Sequence, residues 1–446
     1  FIYLEEDAVT DSVNLRAVVL DILMEINEKG EFSHLLINNA LTKYQYLDKS
    51  KRSFINKLSL GIIESQIELD YIINKYSKTP VKKMKPVIRR IVRMGVYQII
   101  YMDNVPDSAA CNEAVKLAVK RGFAGLKGFV NGVLRNISRN KDNIEYPDYN
   151  KSPYEYLSVK YSMPMWIIEL WSGQMSIDTV KSVLEGMKCE KKTYIRCNTS
   201  KASREQIKEL LQRENVTVKE VENIPYAYEI SDYDYIAGLK SFQDGMYQIQ
   251  DISSMLAGEY TAPKAGDTIV DVCGAPGGKS INAALKMSEQ GDCGRVIARD
   301  LSDYKVALID ENIKRLNITN IQTQVYDALD CDESLINKAD IVIADLPCSG
   351  LGIIGRKPDI KYNASPEKLQ SLVDLQRDIL KVVSRYVKSG GVLMYSTCTI
   401  NRAENEDNAD WICKELGFTK DGEYHQLLPA NNSGMDGFFV ARLIKN

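Results

Sequence analysis

The sequence predicts a multidomain protein in which an all-helical domain, a small α+β domain and a doubly wound α/β domain follow one another. Its 446 residues exceed what a single compact core usually holds, so several domains are expected. Helical periodicity gives way to a polar stretch near residue 145, and strands begin to alternate with helices near residue 245. The predicted domains are therefore residues 1–145, 146–244 and 245–446.

The first predicted domain is helical and basic. From Asn14 to about Arg139, apolar residues recur at helical spacing, as in LRAVVLDILMEI and IRRIVRMGVYQIIYM. Residues 1–141 hold 22 Lys and Arg against 15 Asp and Glu, net +7, while the remainder holds 35 against 45, net −10. This asymmetry favours binding to RNA phosphates over the alternative of a solvated helix face. The candidate RNA-binding residues are Lys82, Lys83, Lys85, Arg89, Arg90 and Arg93.

The second predicted domain follows the polar, non-periodic linker KDNIEYPDYNKSP. Beyond a helical region around MWIIELW, TYIRCNTS is a strand candidate, and Ser203 with Gln206 forms a capping-box pattern that opens a helix. The short strands VTVKEVE and AYEI come next. This βαββ-like run predicts a small α+β module with a mostly structural role, and a second RNA-contacting surface is the alternative.

In the third predicted domain, apolar strands alternate with amphipathic helices. The strands are TIVDVCG, RVIARD, IQTQVYD, ADIVIADLP, VLMYSTCT and finally GFFVARLI, and helices are expected from Lys279, Asp303, Ser365 and Asn401. Such alternation predicts a mostly parallel, doubly wound sheet, which binds its ligands at the carboxyl ends of the strands.

Acids and thiols cluster at those predicted strand ends. A single Asp there is often only a helix cap, and a lone Cys is usually a small buried hydrophobe. Four acids and three thiols at five successive strand ends are hard to explain in that way, so they predict a reaction site. These residues are Asp271, Cys273, Asp300, Asp327, Asp345, Cys348 and Cys398.

The segment VDVCGAPGGKS joins a strand, a glycine-rich turn and a helix start, which is typical of an anion or nucleotide site. It is close to a Walker A phosphate loop, because Gly278, Lys279 and Ser280 match the end of that motif. However, Cys273 stands where the first glycine belongs, and Pro276 lacks an N–H that could cradle phosphate. ATP binding is therefore disfavoured.

An adenosine cofactor fits the spacing better. Asp300 lies 22 residues beyond Gly278, close to the separation at which a carboxylate accepts hydrogen bonds from ribose. Asp327 is placed to reach an adenine amino group, with a cap for the following turn as the alternative. The role of Lys279 stays open between ordering the loop and contacting RNA.

The segments ADLPCSGLG and YSTCT each place a cysteine at a strand end, and the first adds an acid. A thiolate and an acid suit chemistry on an electron-poor ring such as cytosine. Carbon 5 of that ring takes a methyl group only after a nucleophile has added to carbon 6, and a carboxyl group at N3 would stabilise the resulting charge. The residues alone leave open which cysteine attacks.

Three segments in order, DVCGAPGGKS, DLPCSGLG and STCT, resemble motifs of the RNA cytosine-5 methyltransferases, which use S-adenosylmethionine. The family patterns are D-x-C-A-A-P-G-G-K-T, D-x-P-C-S-G-x-G and S-T-C-[ST]. Gly274 and Ser280 depart from them, and both are small. The segments DSAACNEAVKLAV and VNGVLRN resemble the NusB fold, and together with SFQDGMYQIQD and DGFFVARL they make nearly the whole chain similar to the Sun/Fmu family of ribosomal RNA small subunit methyltransferases.

The resemblance implies a Rossmann-like class I methyltransferase domain, a 16S rRNA cytidine as substrate and S-adenosylmethionine as cofactor. It implies Cys398 as the attacking nucleophile, Cys348 as the residue for product release and Asp345 as a contact to N3 of the base. A paired cytosine would not reach such a pocket, so an unpaired or flipped nucleotide is expected. The implied cofactor-binding residues are Cys273, Gly274, Ala275, Pro276, Gly277, Gly278, Lys279, Asp300, Asp327 and Asp345.

Two alternatives stay open. The same chemistry could act on tRNA or on another rRNA cytidine, or the chain could be a non-catalytic RNA-binding assembly factor, although no motif cysteine or acid is missing. With two histidines and no CxxC pair, no metal is expected. No apolar run approaches the ~20 residues of a membrane span. The opening FIYLEEDAVT lacks signal-peptide features, so a cytoplasmic location is expected, while protein partners are not predicted.

Overall fold

The computed structural model describes residues 13–29, 33–222, 224–291, 294–429 and 434–446. The chain divides into two compact units, one reaching to Leu170 and including Lys357–Asp359, the other comprising Trp171–Arg356 and Ile360–Asn446. The opening FIYLEEDAVT, on which the expectation about a signal peptide rests, lies outside the described residues. Among the described helices, none is both long and apolar enough to cross a membrane.

The first unit is helical, as predicted. Its helices bury apolar faces, and their ends follow ordinary capping chemistry: the Asp48 side chain accepts the Lys51 N–H at 2.9 Å, and Pro86 occupies the first turn of its helix. The helices are α1 (Leu15–Lys29), α2 (Ser33–Lys43), α3 (Lys49–Glu64), α4 (Gln66–Tyr76), α5 (Pro86–Tyr101), α6 (Asp107–Lys120), α7 (Lys127–Asn140) and α8 (Pro153–Lys160).

The helical unit continues past the predicted boundary at residue 145. The Tyr146 hydroxyl donates to Glu68 Oε1 at 2.8 Å, and the Ile67 N–H donates to Ser162 Oγ at 2.8 Å. The first bond ties the polar linker to α4 and the second ties the segment after it, so both pack as part of the helical unit. Helix α9 (Met165–Ser172) then spans the division between the two units.

The second unit begins with a small α+β region built around a four-stranded antiparallel sheet in the order β2-β3-β1-β4. The predicted capping box is confirmed, because Ser203 Oγ accepts the Gln206 N–H at 3.2 Å and Gln206 Oε1 accepts the Ser203 N–H at 2.8 Å. The elements are α10 (Ile177–Lys188), β1 (Thr193–Cys197), α11 (Arg204–Arg213), β2 (Thr217–Glu220), β3 (Ala227–Ser231), α12 (Lys240–Gln243) and β4 (Tyr247–Ile249).

The rest of the second unit carries a larger sheet flanked by helices. Its elements are α13 (Ile252–Thr261), β5 (Thr268–Asp271), α14 (Gly278–Glu289), β6 (Arg295–Asp300), α15 (Asp303–Leu316), β7 (Ile321–Val325), β8 (Ala339–Asp345), α16 (Ile360–Asn363), α17 (Pro366–Val383), β9 (Val387–Thr397), α18 (Glu406–Leu416), β10 (Phe418–Lys420), β11 (His425–Leu427) and β12 (Phe438–Lys445).

The strand order β10-β12-β9-β8-β5-β6-β7 confirms the predicted doubly wound, Rossmann-like sheet. Strands β5 to β9 run parallel to one another. Strand β12 runs antiparallel to β9, and β10 and β11 pair antiparallel with β12. The order reverses between β5 and β8, which is the switch point where open α/β sheets bind ligands. The carboxyl ends of the five parallel strands therefore share the edge that holds the predicted site residues.

One predicted helix begins later than expected. The pattern predicts a helix from Asn401, whereas α18 begins at Glu406 after a single 3-10 turn at Arg402–Glu404. Asn405 has φ −109° and ψ −99°, which interrupts the helical path. The buried side chains of Glu404 and Asn405 bond to Ser349 and Thr397 instead of facing solvent, so the chain forms this turn before the helix starts.

Candidate active site

The glycine-rich loop after β5 is held by neighbouring strand ends. The Gly274 N–H donates to the Arg299 carbonyl at 2.7 Å, and the Ala275 N–H donates to Asp300 Oδ2 at 3.0 Å. Gly277 has φ +98°, a conformation that favours glycine, and no side chain caps the helix α14 that follows it. The loop therefore presents backbone N–H groups at the N-terminus of a twelve-residue helix.

A buried acid lies beneath this loop. Asp271, the last residue of β5, is 1% exposed, and its Oδ2 accepts the Ser280 hydroxyl at 2.5 Å. Burial raises the pKa of the Asp271 carboxyl to about 7. Burial also raises the pKa of the neighbouring Cys273 thiol well above its usual range, so Cys273 is a thiol at neutral pH.

The two acids proposed to contact adenosine lie after the next strands. Asp300, at the end of β6, is nearly buried, and besides the loop N–H it accepts the Leu301 N–H and pairs with Lys305 Nζ at 2.9 Å. Asp327 lies just beyond β7, where its Oδ1 accepts the Leu329 N–H at 2.9 Å. Asp300 thus orders the glycine-rich loop directly, while Asp327 closes the turn after its own strand.

Asp345 lies at the centre of the site. Its Oδ2 is 2.5 Å from Lys279 Nζ, and its Oδ1 accepts the Ser396 hydroxyl at 2.7 Å. Lys279 is itself buried and lies over the Phe438 ring, 4.9 Å from the ring centroid. The structure therefore pairs the lysine of the glycine loop with the acid after β8, a contact that the sequence left open.

The two motif thiols are in contact. Cys348, three residues beyond β8, has its Sγ 3.0 Å from Cys398 Sγ, directly after β9. The Cys398 N–H also points to Cys348 Sγ at 3.2 Å. The hydrogen bond to Cys398 and burial both raise the pKa of the Cys348 thiol well above its ordinary value. Either sulfur can be the donor across this contact, so the pair can hold one proton between the two sulfurs.

Backbone contacts join the motif loops around these thiols. The Gly352 N–H donates to the Cys398 carbonyl at 3.1 Å, and the Gly437 N–H donates to the Gly352 carbonyl at 2.9 Å. A Cβ on Gly437 would lie 2.8 Å from the Gly352 Cα, so both glycines are needed for this close approach. The DLPCSGLG, STCT and DGFF segments thus pack as one assembly.

Arg356 is a structural residue that the sequence did not single out. It lies 2.7 Å from both Asp251 and Asp436, each through a separate guanidinium nitrogen. These acids belong to the segments SFQDGMYQIQD and DGFFVARL, which are far apart in the chain. The sequence gave no signal for the pairing of Arg356 with these two acids, because the pairing depends on tertiary placement.

Two further residues missed by the sequence are Glu404 and Asn405. Both are fully buried, and both bond to the segments that carry the thiols. A signal did exist: the polar run NRAEN follows the STCT motif after one residue, at a position where a helix was expected. Polar residues that delay a helix next to a reactive cysteine are candidates for loop support.

The predicted basic cluster is split by burial. Lys82, Lys83 and Lys85 are exposed, and Arg89 is half-buried. Arg90 and Arg93, however, are 6% and 8% exposed. The Arg90 guanidinium donates to the Leu23 carbonyl at 2.8 Å and Arg93 forms two bonds to the Asp70 carboxylate, so the prediction that these two arginines meet RNA is corrected: they stabilise the helical unit.

A second basic surface lies on the same unit, between α6 and α7. An open groove of about 520 Å³ is lined by polar and cationic side chains and contains no carboxylate in its lining. Its cations extend the basic character of the unit beyond the predicted cluster. The lining residues are Asn112, Val115, Lys116, Lys127, Gly128, Asn131 and Arg135.

Every cysteine within the described ranges is a free thiol. The same ranges contain no cluster of three His, Cys, Asp or Glu side chains arranged to hold a metal ion.

Family comparisons match all three regions of the chain. The family described as 16S rRNA methyltransferase RsmB/F matches residues 259–444, the NusB family matches residues 13–139, and the ferredoxin-like domain of RsmF/B-like methyltransferases matches residues 163–233. These matches follow the order of the helical unit, the small sheet and the large sheet.

Full-length relatives share the same organisation. A probable ribosomal RNA small subunit methyltransferase B from Bacillus subtilis (strain 168) is 32% identical over 97% of this chain and 99% of its own length. The ribosomal RNA small subunit methyltransferase B of Proteus mirabilis (strain HI4320) is 29% identical, again over 97% of this chain and 99% of its own. The similarity therefore extends across both structural units.

Solved structures agree. The crystal structure of PH0851 superposes with a TM-score of 0.79 and 26% identity, covering 98% of this chain and 100% of that one. NSun6 from Pyrococcus horikoshii with SFG has a TM-score of 0.56 and 21% identity, covering 63% of this chain and 98% of that one. The second likeness shows a shared fold.

Proposed function

The chain belongs to the 16S rRNA methyltransferase RsmB/F family, and from this premise we propose that it transfers a methyl group from S-adenosylmethionine to carbon 5 of a cytidine in 16S ribosomal RNA. The observation that carries the proposal is the contact of two thiols, Cys348 and Cys398, beside the Asp345–Lys279 pair at the switch point of the sheet. A nucleophile, a proton acceptor and an acid are the groups that this chemistry needs.

The residues around the glycine loop fit the cofactor. When bound, S-adenosylmethionine supplies an electrophilic methyl group. The uncapped N-terminus of α14 offers backbone N–H groups, and the buried Asp271 leaves its Oδ1 without a hydrogen-bond partner among the described residues. We assign cofactor binding to the segment Cys273–Lys279 with Asp300, Asp327 and Asp345. The carboxylates would accept hydrogen bonds from the ribose, adenine and ammonium groups of the cofactor.

Cys398 is the proposed nucleophile. When the proton of the thiol pair is on Cys348, whose pKa is raised, the Cys348 S–H donates to Cys398 Sγ and stabilises it as a thiolate. The thiolate forms a bond to carbon 6 of the cytosine, and the electrons of the 5,6 double bond move toward carbon 5 and N3. Carbon 5 thereby becomes nucleophilic enough to accept the methyl group.

Asp345 stabilises the ring during this step. Lys279 donates to one oxygen of the carboxylate and Ser396 donates to the other, so lone pairs remain on both oxygens. As charge develops on the ring, N3 gains a proton from solvent and donates it in a hydrogen bond to Asp345. Lys279 pairs with Asp345 and holds the carboxylate in place, so the lysine of the glycine loop acts through the carboxylate.

Cys348 completes the cycle. Once Cys398 is bonded to carbon 6, its sulfur no longer carries a charge, so the contributions of Cys398 to the raised pKa of Cys348 are removed while that of burial remains. In this step the Cys348 proton passes to solvent. The Cys348 thiolate then takes the proton from carbon 5, the 5,6 double bond re-forms, and the electrons of the carbon–sulfur bond return to Cys398. N3 returns to solvent the proton that it gained, so the methylated base leaves uncharged. The product leaves, and the resting thiol–thiolate pair is restored.

The helical unit is proposed to hold the RNA. Two sets of its exposed cations are the candidates: Lys82 with Lys83 and Lys85, and the groove cations Lys116, Lys127 and Arg135. Basic side chains near one another attract the phosphate backbone and release its counterions. An unpaired or flipped cytidine would then be presented to the thiols of the second unit.

Reversing the charges of Lys82, Lys83 and Lys85 to glutamate should weaken RNA binding and reduce the slope of log affinity against log salt by up to about 3, since each phosphate contact contributes about 0.9. The matched control reverses Lys49, Lys51 and Lys57, which are exposed on α3. Titration of labelled rRNA at several salt concentrations measures both slopes. An unchanged slope in the first variant would show that these lysines form a solvated surface that does not contact RNA.

The proposed activity is tested with the full chain, labelled S-adenosylmethionine, and separate pools of unmodified 16S rRNA, 23S rRNA and tRNA. We expect label in 16S rRNA at carbon 5 of a single cytidine, located by nuclease mapping and mass spectrometry. Label confined to tRNA or 23S rRNA would reassign the substrate. Tight rRNA binding with no label in any pool would favour a non-catalytic assembly factor instead.

A further inference from the structure

A buried carboxylate joins the segments that carry the two site thiols. Glu404 lies in the turn between β9 and α18 and is 0% exposed. Its Oε2 accepts the Ser349 N–H at 2.8 Å, and its Oε1 accepts the Ser349 hydroxyl at 2.6 Å. Asn401 and Gln376 donate to it at 2.9 and 3.1 Å. A fully buried carboxylate with four donors is a fixed anchor, because losing any donor leaves charge poorly compensated.

The bonds of this network flank Cys348 on both sides. Glu404 fixes Ser349, the residue after the cysteine, and Gln376 Nε2 also donates to the carbonyl of Pro347, the residue before it, at 2.9 Å. Gln376 is oriented in turn by Asn408, whose side-chain amide donates to it at 2.8 Å. The main chain at Cys348 is therefore held at two points by one buried cluster.

The neighbouring residue does the same for Cys398. Asn405 is also 0% exposed, and its Oδ1 accepts the hydroxyl of Thr397 at 2.5 Å. Its Nδ2 donates to the carbonyl of Thr399 at 3.1 Å and to Gln426 Oε1 at 2.7 Å. Asn405 thus holds the residues immediately before and after Cys398.

We propose that Glu404 and Asn405 are positioning residues with separate tasks: Glu404 places Cys348 for product release, and Asn405 places Cys398 for attack. The inference rests on the covalent mechanism proposed above and adds two residues to it. Two adjacent side chains thereby set the 3.0 Å contact between thiols that lie on different strand ends. A misplacement of about 1 Å at a reacting group can cost a factor of about 10² in rate.

The two tasks predict opposite effects on the covalent RNA adduct. In Glu404→Gln, the new side-chain NH₂ group faces N–H and O–H groups that donated hydrogen bonds to the carboxylate. Donor then faces donor, so the Cys348 segment shifts. Methyl transfer in the first turnover should stay within about twofold of wild type, steady-state turnover should fall about tenfold or more, and adduct should accumulate. In Asn405→Ala combined with Cys348→Ala, adduct should form about tenfold more slowly than in Cys348→Ala alone.

Rapid-quench methylation and denaturing gels with labelled RNA measure these quantities. Asp407→Asn is the matched control, because this carboxylate lies in the same region but is exposed and paired with Arg402. It should behave like wild type. Glu404→Asp, which keeps the charge on a shorter side chain, should restore part of the steady-state rate, a rescue that lost stability alone would not give.

Ser349→Ala provides a second route if Glu404→Gln does not fold. It removes one bond to Glu404 and should produce the same adduct accumulation to a smaller degree. Adduct in Cys348→Ala, with none in stably folded Glu404→Gln or Ser349→Ala, would overturn the role of Glu404 and leave the proposed function standing. Equal rates of adduct formation with and without Asn405→Ala would overturn the role of Asn405. Rapid turnover of Cys348→Ala itself without adduct would overturn the release role of Cys348, and the task assigned to Glu404 with it.

Discussion

Cys398→Ala should abolish both methylation and the covalent RNA adduct. Without a nucleophile at carbon 6, carbon 5 of cytosine does not become reactive, and the rate should fall by at least about 10³. RNA affinity should be unchanged, since the proposed RNA-holding cations lie in the other structural unit. Single-turnover incorporation of labelled methyl groups and gel detection of the adduct provide the two measurements.

The matched control for this experiment is Cys413→Ala, a half-buried thiol of α18 in the same structural unit. It is expected to keep wild-type methylation and to show that removing a thiol does not by itself inactivate the unit. A Cys398→Ala protein that methylated rRNA at the wild-type rate would refute the nucleophile assignment. If Cys348→Ala abolished methylation in that case, the two cysteine roles would be exchanged.

Cys348→Ala should trap the protein on its RNA. The attack by Cys398 and the methyl transfer remain, but the group that takes the carbon-5 proton is lost, so the carbon–sulfur bond persists. Loss of a general base typically costs about 10² to 10⁴ in rate, and we expect steady-state turnover to fall within that range. A denaturation-resistant protein–RNA band that carries the labelled methyl group would demonstrate the trapped product.

Two comparisons make the Cys348 experiment decisive. Cys348→Ala with Cys398→Ala should lose the band completely, because the bond requires the second thiol. Cys348→Ser puts a hydroxyl in place of the thiol, and this hydroxyl does not supply the base that takes the carbon-5 proton. The variant should therefore trap nearly as much adduct as Cys348→Ala does. Rapid multiple turnover in Cys348→Ala, without adduct, would show that another group takes the proton.

The sequence was most informative where local chemistry and order along the chain suffice. Helical periodicity predicted the first unit, strand–helix alternation predicted the doubly wound sheet, and three ordered motifs indicated the family, which the full-length relatives confirm. The capping box at Ser203 and Gln206 was predictable because both partners lie within one turn. Placing acids and thiols at one sheet edge needed only the rule that parallel strands end together.

Surface charge was predicted less well. A list of cations within residues 82–93 does not distinguish a lysine that faces solvent from an arginine on the buried face of α5. Burial of Arg93 depends on Asp70, which lies on another helix. The sequence therefore gave the net charge of the unit, whereas helix packing determined which cations remain exposed.

The chain by itself thus determined the fold class, the order of the regions and the residue types that meet at the strand ends. Tertiary structure alone decided which partners those residues take: Lys279 with Asp345, Cys348 with Cys398, and Glu404 with Ser349. The physical reason is that such contacts join residues 50 or more positions apart. Periodicity and motifs report on neighbours along the chain, while these distances are set by the packing of β5, β8 and β9.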